Sequence, residues 1–213
     1  MARNHQIVTV LYVTNPMCAW CYGFTGVVRR LAAIWRGRLQ VQVLLGDYQA
    51  YTSDALTQDD KQQLAISWHR VQKRTNLPFN YLFFTRDNFI YRTEPVCRAL
   101  LCVRLLRPVL VLEVLRAFHS AFYAEGTNIT NLHELVRIVK LFGIKENLFL
   151  TLYESDEITE QLQDEFERAD DMGATSFPSL FLQTSHGSEL ICQGFCAISE
   201  IEKKLLRIVA LNS

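Results

Sequence analysis

The feature that most constrains this chain is a pair of cysteines, Cys18 and Cys21, placed between a strand pattern and a helix pattern. Residues 6–13 read QIVTVLYV, a β-branched and aromatic run that is typical of a strand buried on both faces. Residues 23–36 then carry apolar side chains at close to helical spacing. Residues 39–45 predict a second strand, which we expect to be parallel to the first because a helix joins the two.

The middle of the chain, from about residue 53 to residue 167, changes to long helical patterns with few strand candidates. Strand patterns return in residues 179–183 and 189–193, which flank His186 and predict a hairpin. The chain closes with an amphipathic pattern over 198–211. We therefore expect one α/β domain with a helical insertion, whose helices cover residues 59–75, 94–106, 109–123, 131–142 and 158–172.

Composition excludes several classes of function. The 213 residues include 22 Lys and Arg against 22 Asp and Glu, so no net charge attracts a phosphate backbone or an anionic membrane. No apolar stretch approaches the roughly 18 residues that predict a spanning helix. We therefore expect neither nucleic acid nor a membrane as a partner. The first residues lack the apolar run and the small-residue cleavage site of a signal peptide, so we expect a cytoplasmic location.

A Cys-x-x-Cys pair at the start of a helix suits thiol–disulfide exchange. Free backbone N–H groups and the helix dipole stabilise a thiolate at Cys18. Dithiols in such positions have pKa values lowered from about 8.5 to roughly 3.5–7.5. Cys21 lies one turn further along, close enough for a disulfide and more buried. We therefore predict that Cys18 is the nucleophile and Cys21 the resolving thiol.

Structural zinc is the alternative interpretation of this pair, and it needs a second pair of ligands. Cys97 and Cys102 are five residues apart, which separates them by about 140° around a helix, so we expect them to fill the core. Cys192 and Cys196 flank Gly194 at a strand-to-helix junction without zinc-ribbon spacing. The spacing leaves open whether these two form a second disulfide, and we expect no metal site.

A proline opens the first strand of the predicted hairpin. Residues 174–181 read ATSFPSLF, and a proline cannot donate to a sheet ladder, so Pro178 belongs at a strand start or in a turn. Only about 5–6% of X–Pro bonds in folded proteins are cis, so the local sequence alone does not predict a cis bond here.

Together these segments resemble DsbA-like proteins of the thioredoxin fold, and above all the FrnE-like and predicted protein-disulfide-isomerase branch. The resemblance rests on NPMCAWCYGF over 15–24, TEPVCRA over 93–99, AFYAEGTNIT over 121–130 and GATSFP over 173–178. It covers nearly the whole chain. It implies an α/β, thioredoxin-like domain formed by residues 1–52 and 173–213, with a large all-helical insertion over 53–172.

The resemblance also implies roles for the residues around the thiols. Pro178 would be a cis-proline that faces the Cys18 sulfur, obstructs metal ligation there and presents backbone to the substrate. We accordingly expect Ala19, Trp20, Phe177 and Pro178 to form the substrate-binding surface.

Two residues depart from the pattern of the family. Ala19 stands where many relatives have proline, and the dipeptide between the cysteines is one determinant of redox potential. Potentials in this fold family span roughly −270 to −120 mV, so the direction of catalysis stays open. Asn15 replaces the acidic residue that is common before Pro16, and we expect a modest effect on the local charge balance.

Aromatic residues and histidines complete the candidates. Residues 77–91 are rich in Phe and Tyr, which either pack between insertion and core or line a groove for an unfolded or apolar substrate. Only His119 lies on a predicted helix that could face the cleft. We expect each histidine to be a surface residue or a hydrogen-bonded core residue: His5, His69, His119, His133 and His186.

The residues and the resemblance predict a dithiol–disulfide oxidoreductase or isomerase that needs no cofactor. Its partner would be a disulfide-containing protein or a small thiol substrate such as glutathione. Kappa-type glutathione transferases and 2-hydroxychromene-2-carboxylate isomerases are similar in fold and insertion, but they have serine in the place of Cys18 and lack the second cysteine. A non-catalytic peptide-binding module with incidental thiols is the remaining alternative.

Overall fold

The computed structural model describes residues 7–185 and 187–211, so the predictions for His5 and His186 fall outside the described residues. A mixed four-stranded sheet has the strand order β2-β1-β3-β4. The first two strands pair in parallel, β1 pairs antiparallel with β3, and β3 pairs antiparallel with β4. The predicted parallel pair and hairpin are therefore confirmed. The strands are β1 (Val8–Thr14), β2 (Leu39–Leu45), β3 (Ser179–Thr184) and β4 (Gly187–Gln193).

Eight α-helices lie within the described residues, and six of them separate β2 from β3. None of the helices found there is long and apolar enough to cross a membrane. The helices are α1 (Ala19–Ile34), α2 (Gln58–Thr75), α3 (Glu94–Leu106), α4 (Val111–His119), α5 (Leu132–Lys140), α6 (Glu146–Tyr153), α7 (Asp156–Asp171) and α8 (Ile198–Leu211).

The insertion between β2 and β3 is helical, as expected, apart from one isolated β-bridge between Ala55 and Ile90. Two differences from the predicted helices have local causes. Helix α6 follows Lys145, whose side chain makes no capping hydrogen bond, so the sequence gives no start signal. The predicted helix over 109–123 divides into a 3₁₀ turn, α4 and a π-helical turn over Ser120–Ala124. The domain boundaries at 52/53 and 172/173 stay a prediction.

The central strand β1 is buried on both faces, as its continuous apolar run predicts. Val10 and Tyr12 enter a large core shared with the helices, whereas Leu11 and Val13 enter a smaller cluster on the other face. Full burial of each such side chain stabilises the fold by about 1.5–3 kcal/mol. The end of β1 is thereby fixed in the interior, and the chain continues from it directly into the cysteine pair.

The aromatic segment over 77–91 packs against the insertion. Trp68 of α2 is fully buried, and its ring centroid lies 5.3 Å from that of Phe79, 5.1 Å from Phe83 and 5.0 Å from Tyr123. Leu82 points outward and is 72% exposed. Most of the aromatic rings therefore form core, which favours the packing interpretation over a long open groove.

Candidate active site

The cysteine pair begins where β1 ends. Asn15 is fully buried, and its carbonyl oxygen accepts the Cys18 N–H at 3.0 Å, which turns the chain into α1. Cys18 is the N-cap of α1, with φ −92° and ψ 117°, and its Sγ accepts the Cys21 N–H at 3.4 Å. The thiol thus takes the place that a Ser or Asp side chain commonly occupies at a helix start.

Burial and hydrogen bonding act in opposite directions on the two thiols. The pKa of Cys18 is lowered, chiefly because the Cys21 thiol donates to its sulfur, with further N–H donation from the Cys21 and Trp20 backbone, although burial opposes the shift. The pKa of Cys21 is raised well above its usual value, chiefly by burial and then by the neighbouring Cys18. Of the two thiols, Cys18 therefore loses its proton more readily than Cys21.

The Asn15 side chain ties the cysteine turn to the insertion. Its Oδ1 accepts the Met17 N–H at 2.9 Å. Its Nδ2 donates to the Gly46 carbonyl oxygen at 3.0 Å, to Thr93 Oγ1 at 3.1 Å and to Cys97 Sγ at 3.3 Å. An ionised carboxylate at this position could not donate to these acceptors. The departure from an acidic residue at Asn15 therefore gives the site a hydrogen-bond donor as well as removing a charge.

His119, the last residue of α4, supports the cysteine turn from behind. Its Nδ1 lies 2.9 Å from Thr25 Oγ1, and its Nε2 lies 3.4 Å from the Asn15 carbonyl oxygen. The ring is fully buried. Burial lowers the pKa of His119 to about 3, although the hydrogen bond to Asn15 opposes that shift, so the ring is neutral at neutral pH. His119 is thus a hydrogen-bonded core residue, as predicted, and it contacts the site.

Tyrosines of the insertion pack on the first turn of α1. The Tyr91 hydroxyl donates to the Met17 carbonyl oxygen and lies 3.4 Å from the Tyr123 hydroxyl. Tyr123 stacks on Tyr22 with centroids 5.0 Å apart, nearly parallel. Tyr48, which precedes the predicted insertion, is partly buried, and its pKa is raised to about 12 by burial and by the two neighbouring cysteines. The insertion therefore supplies one wall of the site.

The segment before β3 supplies the opposite wall. The Phe177–Pro178 peptide bond is cis, Pro178 is buried, and the Phe177 carbonyl oxygen lies 3.7 Å from Cys18 Sγ. The Phe177 ring occupies the space beside Gly46, where an added Cβ would lie 2.1 Å from a ring carbon. Only glycine at 46 leaves room for this ring.

The two residues between the cysteines differ in exposure. Ala19 is buried at the edge of the large core, whereas Trp20 is only partly buried. The Trp20 ring lies 6.0 Å from the Phe195 ring, centroid to centroid. The structure therefore brings Cys18, Cys21, Trp20 and the Phe177 carbonyl to one place, and leaves the Ala19 methyl facing inward.

The other cysteines fall into two kinds. Cys97 and Cys102 are free, fully buried thiols, in agreement with core positions. Cys192 and Cys196 form a disulfide, which resolves the question that their spacing leaves open. Within residues 7–185 and 187–211, no three His, Cys, Asp or Glu side chains lie close enough together to hold a metal ion.

Several residues that contact the site are not among the predicted site residues, and three of them show why. The sequence marks Asn15 only by its missing charge, and no local pattern indicates the partners of its amide. Phe195 carries no signal beyond its place between Cys192 and Cys196. Gly46, directly after β2, is the exception, because a glycine at the end of a strand pattern often marks a close approach of another group.

Comparisons with known proteins agree with this fold. A family model described as a DSBA-like thioredoxin domain matches residues 9–195. The structure matches the crystal structure of "a putative protein disulfide isomerase from Nitrosomonas europaea" with a TM-score of 0.92 and 27% sequence identity, over 98% of this chain and 100% of that one. A search of curated proteins by sequence gives no significant match.

Two more distant structures show the same fold. The cytosolic disulfide reductase DsbM from Pseudomonas aeruginosa, solved with GSH, matches with a TM-score of 0.75 and 19% identity, over 96% of this chain and 100% of that one. A 2-hydroxychromene-2-carboxylate isomerase matches with a TM-score of 0.70 and 14% identity, over 96% of this chain and 97% of that one.

Proposed function

The chain belongs to the DSBA-like thioredoxin domain family, and from this premise we propose that it is a dithiol–disulfide oxidoreductase or isomerase with Cys18 as nucleophile and Cys21 as resolving thiol. One observation carries the proposal: across a single helical turn, the pKa of Cys18 is lowered and that of Cys21 is raised. A reactive thiolate beside a thiol that keeps its proton is what stepwise disulfide exchange requires.

The reaction proceeds in two exchanges. The Cys18 thiolate attacks a substrate disulfide, the substrate S–S bond breaks, and one substrate sulfur leaves as a thiolate while the other stays bonded to Cys18. Cys21 then gives up its proton and attacks Cys18 Sγ, which releases the second substrate thiolate and forms the Cys18–Cys21 disulfide. Two electrons pass to the substrate. In isomerisation, a substrate thiol attacks the mixed disulfide instead, and Cys21 stays reduced.

The substrate-binding surface that we propose consists of Ala19, Trp20, Phe177 and Pro178. Cys21 is fully buried and Cys18 is 7% exposed, so a substrate sulfur reaches only Cys18. Trp20, which lies between the two cysteines, is partly exposed, and proline has no N–H at the opposite wall. Because the Pro178 carbonyl oxygen accepts the Gly194 N–H, the Phe177 backbone is the part of this wall that we propose contacts an extended substrate.

We propose reduction or isomerisation in a cytoplasmic setting as the direction of catalysis. In a reducing compartment a dithiol of this kind is held reduced by small thiols. The similarity of fold to a cytosolic disulfide reductase solved with GSH supports glutathione as the small thiol partner, beside disulfide-containing proteins.

The isomerase of 2-hydroxychromene-2-carboxylate supports one alternative, because its fold is similar. A related activity of the kappa glutathione transferase type would use Cys18 to bind glutathione and would not need Cys21. A peptide-binding module would need neither thiol. The three functions therefore differ in what removal of each cysteine does.

Insulin reduction with glutathione as electron donor distinguishes these functions. We expect Cys18→Ser to lose activity, Cys21→Ser to accumulate a mixed disulfide with substrate, and Cys102→Ala to retain the wild-type rate as the matched control. Full insulin reduction by Cys18→Ser would refute the proposed function. Turnover of 2-hydroxychromene-2-carboxylate that is unaffected by Cys21→Ser would favour the alternative.

A further inference from the structure

A second disulfide lies beside the candidate active site. Cys192 and Cys196 enclose a short loop between β4 and α8, and their disulfide closes it. Gly194, inside the loop, has φ +74° and donates its N–H to the Pro178 carbonyl oxygen at 2.7 Å. The closed loop is therefore hydrogen-bonded to the wall that faces Cys18.

Phe195 links the same loop to the other side of the site. Its ring lies 6.0 Å from Trp20 and 5.8 Å from Phe24, centroid to centroid, and the Arg74 guanidinium carbon lies 5.3 Å from its centroid. Both Trp20 and Phe24 belong to α1. The loop thus touches the site at two points: Gly194 at the proline and Phe195 at the residue between the cysteines.

We propose that Cys192–Cys196 is a second redox site, opened by a low-molecular-weight thiol, and that its closed form holds Phe195 against Trp20 for binding of protein substrates. This site goes beyond the exchange at Cys18 and Cys21. The ligand class is a small monothiol such as glutathione, since a protein thiol would have to enter a loop that is packed against α1.

The exposure of the two cysteines sets the order of the steps. Cys192 is 2% exposed and Cys196 is partly exposed, so the thiolate of the first small thiol attacks Cys196 Sγ. The S–S bond breaks, its electron pair leaves on Cys192 Sγ, and that thiolate takes a proton from water. A second small thiol then attacks the small-thiol sulfur of the mixed disulfide and frees Cys196. Two small thiols become one small disulfide, and two cysteines are reduced.

Opening the loop weakens the wall beside Trp20. A disulfide restricts the conformations of the segment that it closes. Without it, Phe195 is held by ring contacts and Gly194 by one hydrogen bond. Loss of the tilted ring contact between Trp20 and Phe195 should weaken the binding of a protein substrate about threefold to tenfold, which is the size of effect that one aromatic pair supports. We therefore expect reduction of this pair to lower kcat/KM for a protein disulfide by that factor, and to leave a small aromatic disulfide unaffected.

The decisive test removes the first redox pair and follows the second. In Cys18→Ala/Cys21→Ala, graded ratios of reduced to oxidised glutathione are applied, and thiols are counted by mass after alkylation in denaturant. We expect two thiols to appear together while circular dichroism stays native. Trp20 emission should change over the same range, and Trp20→Phe in this background should lack that change. If the alanine variant does not fold, the same titration is carried out on Cys18→Ser/Cys21→Ser.

Two results would overturn the proposal. The disulfide could stay closed in excess glutathione until the protein unfolds, or it could open in native protein with no change in Trp20 emission. Neither readout depends on turnover. If wild type and Cys192→Ser/Cys196→Ser are both inactive on insulin, the proposed function fails, whereas the thiol count still decides the role of this second pair.

Discussion

Neutral, buried His119 makes a quantitative prediction about acid stability. The perturbation is His119→Gln, which keeps a side-chain amide near the Asn15 carbonyl oxygen but has nothing to protonate. In the folded protein, burial lowers the pKa of His119 to about 3, although its hydrogen bond to Asn15 opposes the shift. In the unfolded chain the pKa returns to about 6.5.

The sign of the effect follows from proton binding. Below about pH 6.5 the unfolded chain binds a proton at His119 that the folded protein does not, so stability falls as the pH falls towards the folded pKa of about 3. Between pH 7.5 and pH 5.0 these two pKa values give a loss of about 2 kcal/mol in the free energy of unfolding. His119→Gln should lack this part of the loss.

Urea unfolding of the reduced proteins at several pH values measures the difference. The free-energy gap between wild type and His119→Gln should narrow by about 2 kcal/mol from pH 7.5 to pH 5.0. His69→Gln, at an exposed position of α2, is the matched control and should keep the wild-type loss. A constant gap between wild type and His119→Gln across this range would refute the interpretation of His119 as a buried neutral ring.

Three further changes test other parts of the structure. Asn15→Ala leaves the Gly46 carbonyl oxygen and the Met17 N–H without their side-chain partner and should lower the free energy of unfolding in urea by about 2–6 kcal/mol. The control Asn147→Ala, on the exposed face of α6, should stay within about 0.5 kcal/mol of wild type. Glu165→Ala leaves the partly buried Arg104 unpaired and should lower the free energy of unfolding by about 3–5 kcal/mol; a smaller loss in thermal and urea unfolding would argue against the buried pair. Reduced wild type should gain stability as the pH rises from the lowered folded pKa of Cys18 to about 8.5. In urea unfolding, Cys18→Ala should gain less than wild type over this range, and an equal gain in the two proteins would argue against a lowered pKa of Cys18.

Local sequence patterns predicted the elements that carry strong periodicity or turn residues. The run before the cysteines is a strand buried on both faces, and Pro95 opens α3 in its first turn. The final hairpin and α8 also occur where their patterns place them. In each case the signal is contained within a few residues, so the chain alone reveals it.

The contacts that complete the site join distant segments and have no such signal. His119 meets Thr25 across 94 positions, and Asn15 meets Cys97 across 82. Nothing near Asn15 in sequence indicates that its amide needs acceptors from two other elements. The fit of Phe177 against Gly46 is likewise decided by tertiary packing. Resemblance to a family indicated the cis bond at Pro178, whereas the local sequence did not.

The pKa of Cys18, measured in the reduced protein, tests the central claim most directly. Alkylation rate against pH, with the modified residue identified by mass, should give a midpoint below about 7.5 for Cys18 in wild type. Cys21→Ala should raise that midpoint, because the Cys21 thiol makes the largest contribution to lowering it. A wild-type midpoint of about 8.5 that Cys21→Ala leaves unchanged would contradict the assignment of Cys18 as the activated nucleophile.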